Sequence, residues 1–364
     1  DGIAVAYALA ILDDDSLSHP RLEFVCTVCE EVGMEGATGI DVSMLKGKKL
    51  LNMDSEEEGV MLASCAGGCR ADVKLPVERE TVSGTKLTVS LSGLTGGHSG
   101  SEIDKGRGNA NALMSRLLRD ASAPVAIASI DGGRKDNAIP RECTAQIIVA
   151  PDKAATVKAT IEQAADEIAE EFKASDPDLK LTVSEETDCS ESAISAKDSA
   201  RVIALIEALP NGIIRMSREI DKLVETSLNL GVLKSDDAAV TLRYAVRSSV
   251  GVAKKSLKNQ LVCIAEAFAA EVTFEGDYPA WEYKKDSKLR EDMVRIFEEM
   301  YGKKPTVEAI HAGVECGLLS GKIEGLDCIS MGPDMYDIHT TEERLSISSA
   351  KRSYEYILRV IACK

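Results

Sequence analysis

No stretch of this 364-residue sequence is apolar for long enough to span a bilayer as a helix, and no signal peptide is visible. Positive charge is scarce as well. The 43 Lys and Arg face 60 Asp and Glu, and the resulting net charge of -17 disfavours a nucleic-acid or acidic-membrane partner. Ten cysteines are scattered through a chain too large and too apolar to need disulfide staples, which fits a reducing cytoplasm. There are only four histidines, so each can be judged by its own setting.

At this length more than one hydrophobic core is expected, and the stretch that organises the chain runs from Leu22 to Asp54. Leu22 to Val28 is short, mostly apolar and β-rich, the pattern of a strand covered on both faces in a parallel sheet. Glu30 and Glu31 follow it. Neighbouring side chains at a strand end point in different directions, so one carboxylate can be committed to a metal while the other faces the water beside it. A second apolar run, Leu50 to Met53, carries Asp54 to the same sheet edge, since ligand sites of open α/β sheets gather at the carboxyl ends of strands. The glycine-rich loop Gly33 to Gly39 lets backbone approach whatever is bound there. Cys26-x-x-Cys29 has the spacing of a zinc knuckle or redox pair, but on an extended strand the two face opposite ways, and both are read as core or near-core thiols. Cys65 and Cys69 are read as packing residues at a domain junction.

Gly2 to Leu12 is apolar almost all round and Ala-rich, the composition of a buried helix. Past Cys69 the texture changes, and Lys86 to Ser92 alternates with period two, the mark of a sheet wet on one face. From there two similar lobes follow. The first has a helix over Asn109 to Leu118, a strand at Cys143 to Val149, a helix at Ala154 to Phe172 and a strand at Leu179 to Val183. The second repeats the order with a helix at Ser199 to Leu209, a hairpin over Thr226 to Val246, a helix at Lys254 to Ala270 and a strand at Val272 to Phe274. After Trp281 the α/β pattern returns: Ser287 caps a helix whose apolar stripe is Leu289, Met293, Ile296, Phe297 and Met300, and short strands are expected at Val307 to Ile310 and Cys328 to Met331. The predicted architecture is an α/β catalytic domain with helices on both sheet faces, residues 1–69 and 281–364, interrupted by an inserted α+β lid of two similar lobes, residues 70–280.

His19 sits in a polar turn and reads as surface. His98 lies in Gly96-Gly97-His98-Ser99-Gly100, where glycine exposes the imidazole, and His339 follows an apolar strand and loop from which it can join Glu31 and Asp54 at one metal-bearing edge. The run Asp1-Gly2-Ile3-Ala4, the block Cys29 to Ala37, Asn52 to Gly59, Gly96 to Gly100, Asn137 to Glu142, Val224 to Asn229, and His311 to Gly317 together resemble the aminoacyl-histidine dipeptidases. These belong to the dinuclear-zinc exopeptidases that include the carnosinases. The resemblance runs along nearly the whole chain in the right order.

By that resemblance Glu30 corresponds to the catalytic base and Glu31 to a ligand of one metal. Asp54 matches a ligand of the other metal, and His339 completes the first. His98 matches the lid histidine that supports the oxyanion, while Asn137 and Arg247 match the residues that hold the substrate carboxylate. Gly313 and Glu315 fall in a loop lining the pocket. The implied cofactors are two divalent metal ions, zinc with manganese or cobalt as alternatives, and the implied partner is a short peptide, handled by a monomer or a homodimer.

The chain begins with Asp1 rather than Met, inside a helix, and is expected to be a fragment or processed form. The family's His-x-Asp motif and bridging aspartate precede the position aligned with Asp1, so Glu31, Asp54 and His339 would remain while one metal-binding histidine and the bridge would not. The leading function is hydrolysis of Xaa-His and related dipeptides. A tripeptidase or N-acyl amino acid deacylase with the same centre is the alternative, and a catalytically incomplete binding protein is the alternative from another class.

Overall fold

The computed structural model describes residues 2–31 and 33–363, so the expectations attached to Asp1 and Val32 lie outside the described residues. Helices α1 (Gly2–Leu12) and α2 (Glu35–Gly39) precede β1 (Lys49–Asn52) and β2 (Val60–Cys65). An antiparallel region follows with β3 (Gly67–Pro76), β4 (Arg79–Ser92), β5 (Gly97–His98), α3 (Ala110–Arg119), β6 (Ala126–Gly132), β7 (Ala138–Ile139) and β8 (Cys143–Val149). It continues through α4 (Ala154–Phe172), β9 (Lys180–Ile194), α5 (Ala196–Ala208), β10 (Gly212–Met216), β11 (Val224–Ser235), β12 (Ala239–Ser248), α6 (Gly251–Ala267) and β13 (Glu271–Tyr278). Last come α7 (Lys288–Tyr301), β14 (Thr306–Ile310), α8 (Glu315–Lys322), β15 (Asp327–Ser330), β16 (Met335–Tyr336), β17 (Arg344–Leu345) and α9 (Ile347–Ile361).

The two ends of the chain build one sheet in the order β1-β15-β2-β14, with β1 parallel to β15 and β2 parallel to β14. Its helical cover follows from periodicity. Ser287 caps α7 by accepting the Arg290 N–H at 3.0 Å, and Leu289, Met293, Ile296 and Phe297 are buried as one stripe with Ile329 of β15 and Tyr356 of α9. Each such side chain contributes about 1.5–3 kcal/mol.

The inserted region is a nine-stranded sheet in the order β13-β3-β12-β11-β6-β8-β4-β9, with β10 paired to β11. Read outward from its centre, β11, β12, β3 and β13 mirror β6, β8, β4 and β9. The two lobes are therefore fused edge to edge, with Leu233 opposite Gly132 and Lys234 opposite Asp131. Residues of α3, α4, α5 and α6 share one core with Leu87, Val89 and Leu91 of β4 and Val240, Leu242 and Val246 of β12. Alternation then turns the intervening residues of those strands to the other, helix-free face.

Three expectations are corrected. Leu22 to Val28 forms no strand: among the described residues it makes no ladder with β1, and a cavity of about 390 Å³ lined by Leu22, Val25, Leu50 and Leu51 lies between them. The segment is tied instead by the Glu23 carboxylate, which accepts the Lys46 and Gly47 N–H groups at 2.8 Å. β propensity makes no strand without a neighbour to pair its backbone groups. Cys26 and Cys29, carried on that segment, are exposed rather than near-core. Helix α1 is buried only through Tyr7 and Ile11, with Leu9 and Leu12 each 63% exposed, because it packs on one side, where the Tyr7 hydroxyl donates to the Ala350 carbonyl at 2.6 Å.

Candidate active site

The helix-free face of the inserted sheet carries a transverse row fixed by strand register. Ser227 of β11 is opposite Arg247 of β12, Arg247 is opposite Gly68 of β3, and Gly68 is opposite Tyr278 of β13. Directly opposed residues share a face, so these four meet. The Arg247 guanidinium reaches the Tyr278 hydroxyl at 3.3 Å, while its Nε is buried without a partner. Tyr278 lies between two glycines. A Cβ on Gly68 would meet its hydroxyl at 2.6 Å and one on Gly313 would meet its ring at 2.8 Å, so Gly313 acts by letting the ring in rather than by contacting anything itself. Arg247 and Asn137 line one cavity of about 300 Å³ with Tyr278, and among the described residues Arg247 has no carboxylate partner.

His98 is half-buried at the end of β5, where its Nδ1 lies 3.2 Å from the Ser101 hydroxyl and accepts the Ser101 N–H at 3.2 Å. Burial, with the Arg247 charge second, pushes its pKa below the ordinary histidine value, so the neutral imidazole is favoured. A neutral ring whose Nδ1 accepts presents Nε2–H as a donor.

The acidic cluster lies outside the inserted sheet, on segments from the two ends of the chain. Glu30 and Glu31 lie in a turn, not at a strand end, and the residue before them, Cys29, has a left-handed backbone, as has His339. Such positions store strain and concentrate at functional sites. The His339 Nε2 lies 3.0 Å from Glu31 Oε1, with both side chains exposed. Glu30 is half-buried, and burial first, then the charges of Glu31 and Glu315, raise its pKa. Asp54 is pushed up to about 6 by burial and then by Glu30 and Glu315. Glu315 is held by the Thr27 hydroxyl, which donates to its carboxylate at 2.7 Å. The structure thus brings Glu31 and His339 into contact and sets Asp54 and Glu315 within electrostatic reach of Glu30. It gathers no three potential ligands into one cluster among the described residues.

His311, Ser227, Tyr278 and Thr27 belong to this site and were given no role from sequence. His311 is buried, takes a 2.7 Å hydrogen bond with the Ser227 hydroxyl through Nε2, and has an unpartnered Nδ1. Only strand register, which a single sequence does not print, could have shown Ser227 and Arg247 side by side. Burial and then the Arg247 charge lower the His311 pKa to about 3. The unfolded chain therefore binds this proton more tightly between pH 6.5 and 3, and the contribution to stability, complete above 6.5, is lost as pH falls through that window. From this group alone stability should drop by about 2 kcal/mol between pH 7 and pH 5. Urea unfolding at the two pH values should show the drop in the wild type and a smaller one in His311→Asn; equal drops in the two proteins would refute it.

Residues 89–176 match the family model described as a peptidase dimerisation domain. The chain is 35% identical over 353 residues to cytosol non-specific dipeptidase of Escherichia coli strain K12, covering 96% of this chain and 73% of that protein. It belongs to this dipeptidase family. The crystal structure of aminoacylhistidine dipeptidase from Vibrio alginolyticus superposes with a TM-score of 0.92 at 33% identity, covering 99% of this chain and 74% of that one. Dipeptidases of this M20 family depend on metal ions. The donor types here fit that dependence, since carboxylates gathered closely enough that the charges of Glu31 and Glu315 act on Glu30, and those of Glu30 and Glu315 on Asp54, with the His339 imidazole against Glu31, are a setting a divalent cation relieves.

Proposed function

We propose that the chain is a cytoplasmic metallo-dipeptidase acting on Xaa-His and related short peptides. The observation that carries this is Arg247: in a chain of net charge -17, its guanidinium has no carboxylate partner among the described residues and faces a cavity shared with Asn137. Its planar fork suits a substrate carboxylate. Capture of that carboxylate at a fixed distance from the acidic cluster would limit substrates to very short peptides.

Glu31, Asp54 and His339 are the proposed ligands of two divalent ions, zinc with manganese or cobalt as alternatives. When bound, such ions supply Lewis acidity and lower the pKa of the attacking water towards about 7. Glu30 takes the water's proton and returns it to the leaving amine. The neutral His98 donates to the oxygen on which negative charge develops. Glu315, tethered by Thr27, is proposed to line the substrate pocket, and Gly313 seats Tyr278.

Glu31→Gln should lower metal occupancy, because an amide is a poorer ligand than a carboxylate; elemental analysis after dialysis reads this directly, and unchanged occupancy would remove Glu31 from the ligand set. The function itself is tested with a panel of dipeptides, tripeptides and N-acyl amino acids in the presence of Zn²⁺, Mn²⁺ or Co²⁺. Dipeptides should be cleaved best, and preferential cleavage of either other class would transfer the site to a tripeptidase or deacylase. For assembly, the dimerisation-domain match supports a homodimer and the fused lobes support a monomer; sedimentation velocity separates them.

A further inference from the structure

The cavity beside Arg247 has a second wall that anchoring of the substrate carboxylate leaves unused. One step along the strands from the Ser227–Arg247–Gly68–Tyr278 row, register sets Asn229 opposite Ala245, Ala245 opposite Arg70, and Arg70 opposite Glu275. Small and large residues alternate diagonally: Gly68 faces Arg247 and Ala245 faces Arg70. The floor between the two arginines is therefore open. Arg70 Nε donates to Asp136 Oδ2 at 2.8 Å, and its Nη1 lies 3.4 Å from Glu275 Oε2. Asp136 Oδ1 accepts the Asn137 N–H at 3.0 Å, which leaves each carboxylate oxygen a further lone pair.

The loop bearing Asp136 is held in place from below. The buried Asn229 amide donates to the Asp136 and Ala138 carbonyls, each at 2.9 Å, and a Cβ on Gly231 would meet the Asp136 carbonyl at 2.4 Å. This wall is rigid and charged. Arg70, Asp136 and Glu275 all line the same cavity as Arg247 and Asn137. Once Arg247 is engaged by a substrate carboxylate, the remaining wall carries two carboxylates against one guanidinium. Asp136 is the stronger of the two, because its side chain is 25% exposed whereas that of Glu275 is 64% exposed and screened by water.

We propose that Asp136, balanced by Arg70, is the specificity determinant for the side chain of the substrate's C-terminal residue, favouring one that is cationic or donates hydrogen bonds over one that is apolar or anionic. This rests on the dipeptide reading. A donor side chain satisfies the free lone pairs of Asp136, an apolar one leaves them desolvated, and a carboxylate adds repulsion.

The test is binding without turnover, by isothermal titration of the chelator-treated protein with Ala-Lys, Ala-Gln, Ala-Leu and Ala-Glu at pH 7. The wild type should bind Ala-Lys about tenfold more tightly than Ala-Glu, with Ala-Gln between them and Ala-Leu below Ala-Gln. Asp136→Asn should erase or invert the Lys-to-Glu ratio, and Arg70→Met should enlarge it. Opposite shifts in the two variants cannot arise from a common loss of folding. Should both variants weaken every dipeptide alike, or should the ratio stay within about threefold of wild type in both, the pair merely ties the loop to β3 and the proposal is overturned. Failure of all four dipeptides to bind the wild type would overturn it too. Because no catalysis is read, a protein that binds in this order but hydrolyses nothing would overturn the enzymatic reading and leave this one standing.

Discussion

Replacing Glu30 by glutamine in a full-length version is expected to leave metal content unchanged while lowering kcat by about 10²–10⁴-fold, the usual worth of a positioned general base. The side chain is half-buried, and burial first, then its neighbours Glu31 and Glu315, raise its pKa above the ordinary carboxylate value. Glutamine keeps the shape and the hydrogen-bonding reach but cannot take up the proton. Elemental analysis alongside kcat separates this outcome from metal loss. A variant with normal metal and near-normal kcat would assign the base elsewhere, and Glu315, held by Thr27 within electrostatic reach, would be the next residue to test.

What the sequence made legible is what local chemistry decides. Period-two alternation from Lys86 to Ser92 located β4, and the Ser287 cap with its 3.6-period stripe located α7, because a strand buried on one face or a helix with one apolar stripe is written into neighbouring positions. Non-local pairing was not legible. Leu22 to Val28 has strand composition and no ladder, which moves Glu30 and Glu31 from a strand end to a turn and leaves Glu31 exposed. Arg247 and Asn137 were found by resemblance. Their relation to Ser227, Gly68 and Tyr278 depends on the register of four strands drawn from distant parts of the chain. His311 shows the same limit: its place at the head of a glycine-bearing loop is visible in sequence, but its burial against Ser227 across the domain junction is created by the fold.

Arg247→Lys should damage dipeptide hydrolysis although the charge is kept, since a lysine ammonium cannot reproduce the bidentate fork. The site sharpens this expectation. Tyr278 meets one end of the guanidinium at 3.3 Å while Nε is buried without a partner, so the planar group is oriented towards the cavity and its remaining N–H groups are available to two oxygens. A dipeptide whose C-terminal carboxylate is amidated should already be a poor substrate for the wild type, and should lose little more with the variant, because the interaction is absent from both. An arginine that served only to pack against Tyr278 would instead give similar effects on the acid and the amide. Measuring kcat/KM for one dipeptide and its amide on both proteins closes a double cycle. Charge-assisted hydrogen bonds of this kind are worth roughly 1.5–3 kcal/mol, so a coupling of that size is expected. A coupling below about 0.5 kcal/mol, within ordinary additivity error, would mean that the carboxylate is held by another group, with Asn137, which lines the same cavity, the next to test.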